Sequence, residues 1–142
     1  MLKDHKVAFA ESCTGGALSA RVVAQAGASG YFLGSIVAYS DEWKVKFLGV
    51  RKKTLAKYGA VSGEVVKEMV EGLFVRTEAT LAVAVSGIAG PTGGLPDKPV
   101  GTVWIGVGRR AGGIEVKCLH IKGDRAAVIA GTVEAVMAWI TS

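Results

Sequence analysis

The apolar run Val7-Ala8-Phe9-Ala10 breaks into the polar loop Glu11-Ser12-Cys13-Thr14-Gly15-Gly16, after which Leu18, Val22 and Ala26 recur at helical spacing as far as Gly27. This predicts a strand–loop–helix unit. Ile36-Val37-Ala38-Tyr39 predicts the second strand, and Ser40 or Asp41 caps a short helix carrying Lys44 and Leu48. Ser62 suits the N-cap of a helix from Gly63 to about Arg76, with Val65, Val66, Met69, Val70, Leu73 and Phe74 as its buried stripe. Leu81-Ala82-Val83-Ala84-Val85 is apolar without interruption, the pattern of a central strand covered on both faces.

The glycine-rich segment from Ser86 to Gly94 then forms a loop. Two further strands are expected over Thr102–Val107 and Ile114–Ile121, and the turn Arg109-Arg110-Ala111-Gly112-Gly113 between them predicts an antiparallel hairpin. Asp124 caps the last helix, whose stripe is Val128, Ile129, Val133, Val136, Met137 and Ile140. The order β-α-β-α-α-β-β-β-α predicts an α/β fold. It is a three-layer α/β/α sandwich with a mixed, mainly parallel five-stranded sheet. No linker divides the hydrophobic pattern, so residues 1–142 are expected to form one domain.

Composition narrows the partners. Half of the residues are hydrophobic and 20% are charged, which suits a packed core and excludes intrinsic disorder. The 20 glycines gather in loops without a period, which excludes collagen-like repeats. A net charge of +5 favours an anionic ligand. The one basic stretch, Lys44, Lys46, Arg51, Lys52, Lys53 and Lys57, reads mainly as a solvated helical face, and nucleic acid is not an expected partner. Two cysteines at unrelated positions suggest no disulfide framework, and no apolar run is long enough for a bilayer. A cytoplasmic protein without membrane association is expected.

Two segments fall where strands meet helix starts, the usual ligand edge of an open α/β sheet. In the first, Ser12, Cys13 and Thr14 precede a helix whose free N–H groups could stabilise an oxyanion, while Gly15 and Gly16 let a ligand come close. The same spacing also suits an ordinary helix cap. The second, around Ser86, Gly87, Ala89 and Gly90, reads either as a nest of N–H groups for a phosphate or as a wide crossover loop. It matches neither phosphate-binding glycine motif.

At these residues the sequence resembles the CinA C-terminal family, the deamidases of nicotinamide mononucleotide. The matching blocks are Ala10 to Gly16, Tyr39-Ser40 with Lys44, Gly59 to Ser62, Ser86 to Pro91 with Gly93-Gly94, Lys98 to Val103, and Gly123-Asp124-Arg125. They occur in the family's order over nearly the whole chain.

The resemblance implies hydrolysis of the carboxamide of nicotinamide mononucleotide to nicotinate mononucleotide and ammonia, by a serine–lysine pair and with neither metal nor cofactor. Carried over by motif, Ser12 is the nucleophile and Lys44 the general base. A lysine removes a proton only when neutral, so burial or nearby positive charge must lower its pKa.

Tyr39 is expected to orient Lys44, contact the pyridine ring, or simply pack on a helix. Thr14 is a candidate for holding the acyl centre, and Cys13 is expected to pack behind the loop rather than act. Glu11 is open between a site carboxylate and a partner for a cation such as Lys44. The phosphate falls to the Ser86–Gly94 loop, Thr102 or Arg125. Family members carry a helix ahead of the first strand, where only Met1 to Lys6 stand here, and many carry a large domain with no counterpart in these residues. A homo-oligomer is expected from the family. The other reading is a non-catalytic nucleotide- or partner-binding module, or an amidase on a related small amide.

Overall fold

The computed structural model describes residues 2–142. Its strands are β1 (Val7–Glu11), β2 (Phe32–Val37), β3 (Leu81–Gly87), β4 (Thr102–Arg109) and β5 (Ile114–His120). Its helices are α1 (Ala17–Val23), α2 (Asp41–Leu48), α3 (Lys52–Tyr58), α4 (Gly63–Arg76) and α5 (Arg125–Ile140). The strands form one sheet in the order β2-β1-β3-β4-β5. β1 pairs parallel with β2 and β3, and the β4–β5 hairpin is antiparallel, with β4 against β3. Four of the five strands therefore point the same way. The expected mixed, mainly parallel sandwich is the architecture observed.

Strand alternation sends successive side chains to opposite faces. Val7 and Phe9 of β1, Leu81, Val83 and Val85 of β3, and Val103, Ile105 and Val107 of β4 meet α1 and α5 in one core. Ala8, Ala10, Ala82 and Ala84 face the other way and meet Val65, Val66, Met69, Val70 and Leu73 of α4. The Ser62 hydroxyl accepts from Val65 N–H at 3.2 Å, and the Asp124 carboxylate accepts from Ala127 N–H at 2.9 Å, so both expected caps start their helices.

Three expectations need correction. α1 ends at Val23 rather than at Gly27: Ala26 is exposed, and Gly27, at φ 89°, opens a separate 3-10 turn over Ala28–Gly30. β2 runs from Phe32 to Val37 rather than over Ile36–Tyr39. It is a partly exposed edge strand whose Gly34 and Ser35 interrupt the apolar pattern. A third helix, α3, lies between α2 and α4. Its Lys52, Lys53 and Lys57 are exposed, as expected of a solvated face, whereas Lys44 is buried.

Candidate active site

The three parallel strands bring their carboxyl ends together, and two backbone bonds hold the turn after β1. Ser12 N–H donates to Val85 O at 3.2 Å, and Ala38 N–H donates to Glu11 O at 2.9 Å. The turn is thereby pinned to β3 on one side and to the β2–α2 connection on the other. Tyr39 comes next, and the Ser40 hydroxyl caps α2 by accepting from Trp43 N–H at 3.1 Å. That cap sets Lys44 in the first turns of α2. Helical side chains lean toward the N-terminus, which is the direction of Ser12.

Lys44 Nζ stands 2.9 Å from Ser12 Oγ and donates to Tyr39 O at 3.0 Å. Ser12 Oγ lies 3.4 Å from the same carbonyl. Lys44 is only 1% exposed and Ser12 6%. Burial holds the Lys44 ammonium below the usual lysine range, opposed by the charge of Asp41, whose Oδ1 is 3.8 Å from Nζ. A buried lysine of lowered basicity in hydrogen-bond contact with a serine hydroxyl is an arrangement that can support nucleophilic catalysis.

Glu11 serves the loop rather than Lys44. Its Oε1 accepts from Thr14 Oγ1 at 2.6 Å, Gly16 N–H at 3.1 Å and Leu18 N–H at 3.0 Å; its Oε2 accepts from Ser19 N–H at 3.0 Å and Ser19 Oγ at 2.5 Å. The carboxylate is fully buried at the start of α1, where N–H donors and the helix dipole replace a counter-cation. Gly16 enters the helix at φ 108°, a conformation that L side chains rarely adopt. Among the described residues, the N–H groups of Cys13 and Thr14 find no backbone acceptor. The Cys13 thiol is pushed up to about 11, chiefly by burial, and is a poor nucleophile at neutral pH.

The phosphate candidates are spread more widely. Arg125, first residue of α5, donates through Nη1 to Gly90 O at 2.6 Å and through Nη2 to the Tyr39 hydroxyl at 2.9 Å. With Ala89, Pro91, Val100, Gly123 and the capping Asp124 it lines an open pocket of about 460 Å³. Ser86 and Thr102 are buried, and the Thr102 hydroxyl donates to Pro99 O at 2.7 Å. Gly87 closes β3. The structure thus groups Ser12, Lys44 and the Tyr39 carbonyl tightly, with Cys13 next in the turn, links the Tyr39 hydroxyl to Arg125 beside Gly90 at the rim, and turns Glu11, Thr14 and Thr102 to other partners. Asp41 was expected only as a cap. Its spacing of one helical turn before Lys44 was the available signal. No group of three or more His, Cys, Asp or Glu side chains among the described residues is placed to hold a metal.

The family model of the CinA C-terminal domain matches residues 1–142. The chain belongs to the CinA C-terminal domain family. A CinA-like protein of Thermotoga neapolitana is 60% identical over 107 residues, covering 74% of this chain and 26% of that protein. A CinA-like protein of Geobacter metallireducens is 47% identical over 134 residues, covering 94% of this chain and 32% of that protein. The chain therefore spans a quarter to a third of the length of these CinA-like relatives.

Among solved structures, a CinA superfamily protein from Klebsiella pneumoniae superposes with TM-score 0.90 at 42% identity, covering 94% of this chain and 83% of that one. A competence/damage inducible protein from Agrobacterium tumefaciens gives TM-score 0.92 at 35% identity, with 96% and 84% covered. No helix among the described residues is long and apolar enough to cross a membrane.

Proposed function

We propose that this CinA-family domain is a nicotinamide-nucleotide amidase, hydrolysing the carboxamide of nicotinamide mononucleotide to nicotinate mononucleotide and ammonia. The observation that carries the reading is the 2.9 Å contact between a buried Lys44 amine and the Ser12 hydroxyl. Neutral Lys44 takes the proton of Ser12 Oγ as that oxygen attacks the carboxamide carbon. The negative charge that develops on the carbonyl oxygen is met by the N–H groups of Cys13 and Thr14 at the start of α1. The Lys44 ammonium returns its proton to the amide nitrogen, the C–N bond breaks, and ammonia leaves an acyl ester on Ser12. Lys44 then deprotonates a water, which attacks the ester; the acid departs and Ser12 regains its proton.

The pocket beside Arg125 suits the phosphate, because a guanidinium at the first residue of a helix offers fixed positive charge there. Tyr39, more than half exposed, with its carbonyl on the Ser12–Lys44 pair and its hydroxyl on Arg125, supplies an aromatic surface for the pyridine between the two.

The test is ammonia release from nicotinamide mononucleotide, nicotinamide riboside and nicotinamide, using wild type, Ser12→Ala and Lys44→Met. Release is expected from the mononucleotide, with each substitution lowering kcat by ~10³-fold or more. Undiminished turnover by Ser12→Ala would remove the nucleophile assignment. Tight nucleotide binding without turnover in the wild type would turn the reading toward a binding module.

A further inference from the structure

We propose that Asp41 is a positioning residue for the Lys44 amine, its carboxylate marking the third side of Nζ and setting the pH at which that amine becomes free to act. This role rests on the Ser12–Lys44 mechanism and adds a residue outside that pair. Three oxygens stand around Nζ: Ser12 Oγ at 2.9 Å, Tyr39 O at 3.0 Å and Asp41 Oδ1 at 3.8 Å. An ammonium has three hydrogens to direct at them. The neutral amine has two hydrogens and a lone pair, and it acts as a base only when the lone pair faces the Ser12 hydroxyl. Its hydrogens must then point to Tyr39 O and toward Asp41, the one charged member of the set.

Exposure makes the arrangement workable. The Lys44 side chain is 2% exposed and that of Asp41 63%. The carboxylate therefore keeps most of its hydration, and its contact with Nζ is too long to lock a buried ion pair. Burial pushes Lys44 toward the amine, whereas Asp41 pulls it toward the ammonium. A base is most useful when its affinity for protons lies near the working pH, so the opposition tempers what burial alone would do.

Other charges near the pair are already engaged. Glu11, at the end of β1, is held by the first turn of α1, and the Cys13 thiol is neutral at ordinary pH. Arg125 of α5 is bound to the Tyr39 hydroxyl and Gly90 O. From α4, Glu68 pairs with Arg51, and Arg76 donates to Leu48 O and Gly72 O.

The experiment compares wild type and Asp41→Asn as the whole chain, by two readouts. The first is the pH dependence of kcat/KM on nicotinamide mononucleotide. Asp41→Asn is expected to move the acid limb down by roughly 0.3–0.7 pH unit, as befits an exposed carboxylate near a buried amine. The gap should narrow in ~0.5 M salt, which screens that carboxylate, and KM should change by less than about twofold.

The second readout needs no turnover: the Lys44 Cε resonance, assigned by its loss in Lys44→Met, is titrated by carbon NMR, and its midpoint should fall by the same amount. Identical Lys44 midpoints in the two proteins overturn the proposal. So does an unchanged midpoint with a several-fold rise in KM, which would make Asp41 a substrate contact. If neither protein turned the nucleotide over, the amidase reading would fail while the NMR titration still decided the role of Asp41.

Discussion

On the α1/α5 side of the sheet the strands present Val7, Phe9, Leu81, Val83, Val85, Val103, Ile105 and Val107, whereas on the α4 side the same strands present Ala8, Ala10, Ala82, Ala84, Gly106 and Gly108, with Trp104 near the start of α4 as the large exception. The first face fills its space with volume. The second removes volume so that α4 can lie close: a Cβ on Gly108 would fall 2.6 Å from Val70 Cγ1 and 2.9 Å from Phe74 Cε2. The closeness continues outward, since a Cβ on Gly72 of α4 would fall 1.9 Å from Leu48 O at the end of α2. α2 carries Lys44. The tight face thus sets the position of the base, and the bulky face chiefly supplies stability. Backbone contacts of this kind cannot be relieved by turning a side chain, so errors there should reach the chemistry.

Four substitutions break or sharpen that contrast. Phe9→Ala, on the bulky face, should cost about 3–5 kcal/mol in denaturant unfolding through the cavity it leaves. The protein that remains folded should keep kcat within about threefold; a collapse of kcat would mean that this face also sets the site. Gly72→Ala should cost less stability, about 2–3 kcal/mol. It should lower kcat by at least ~10-fold as α2 shifts against Ser12, and full kcat in a correctly folded variant would separate α4 packing from Lys44 placement.

Lys44→Met should abolish turnover yet stabilise the fold by about 1–2 kcal/mol at pH values where the wild-type amine carries its proton, because it no longer buries an ammonium. The folded-state pKa of Lys44 is lowered from its ordinary 10.5, chiefly by burial. Between the two values the unfolded chain binds more protons, so wild-type stability rises with pH in that window and the advantage of the Met variant shrinks. Calorimetry across that range checks the sign. The smallest effect belongs to Ser62→Ala, which removes the α4 cap. It should cost about 1 kcal/mol, and a change in kcat beyond twofold would give that cap a part in the chemistry.

Legibility followed the same division. Phe9, Leu81, Val83 and the α4 stripe were readable because buried strands and amphipathic helices follow periods of 2 and 3.6. The caps Ser62 and Asp124 were readable from local chemistry. β2 was misplaced because Gly34 and Ser35, on a partly exposed edge, carry no alternation, and α3 was hidden within a run of lysines. The Ser12 loop was readable from its place between a strand and a helix start, whereas its pairing with Lys44 stood out through resemblance alone. The five donors on Glu11 and the approach of Asp41 to Lys44 were not readable as contacts, since they depend on how the β1 turn folds back and how α2 is set against it.

The oxygen joining Lys44 Nζ and Ser12 Oγ belongs to the main chain of Tyr39, so every residue type at that position would provide it. Mutational scanning at position 39 reports on the ring and hydroxyl while leaving this acceptor in place. Its contribution becomes accessible only to backbone chemistry: an amide-to-ester exchange between Tyr39 and Ser40 would weaken the carbonyl as an acceptor with every side chain retained.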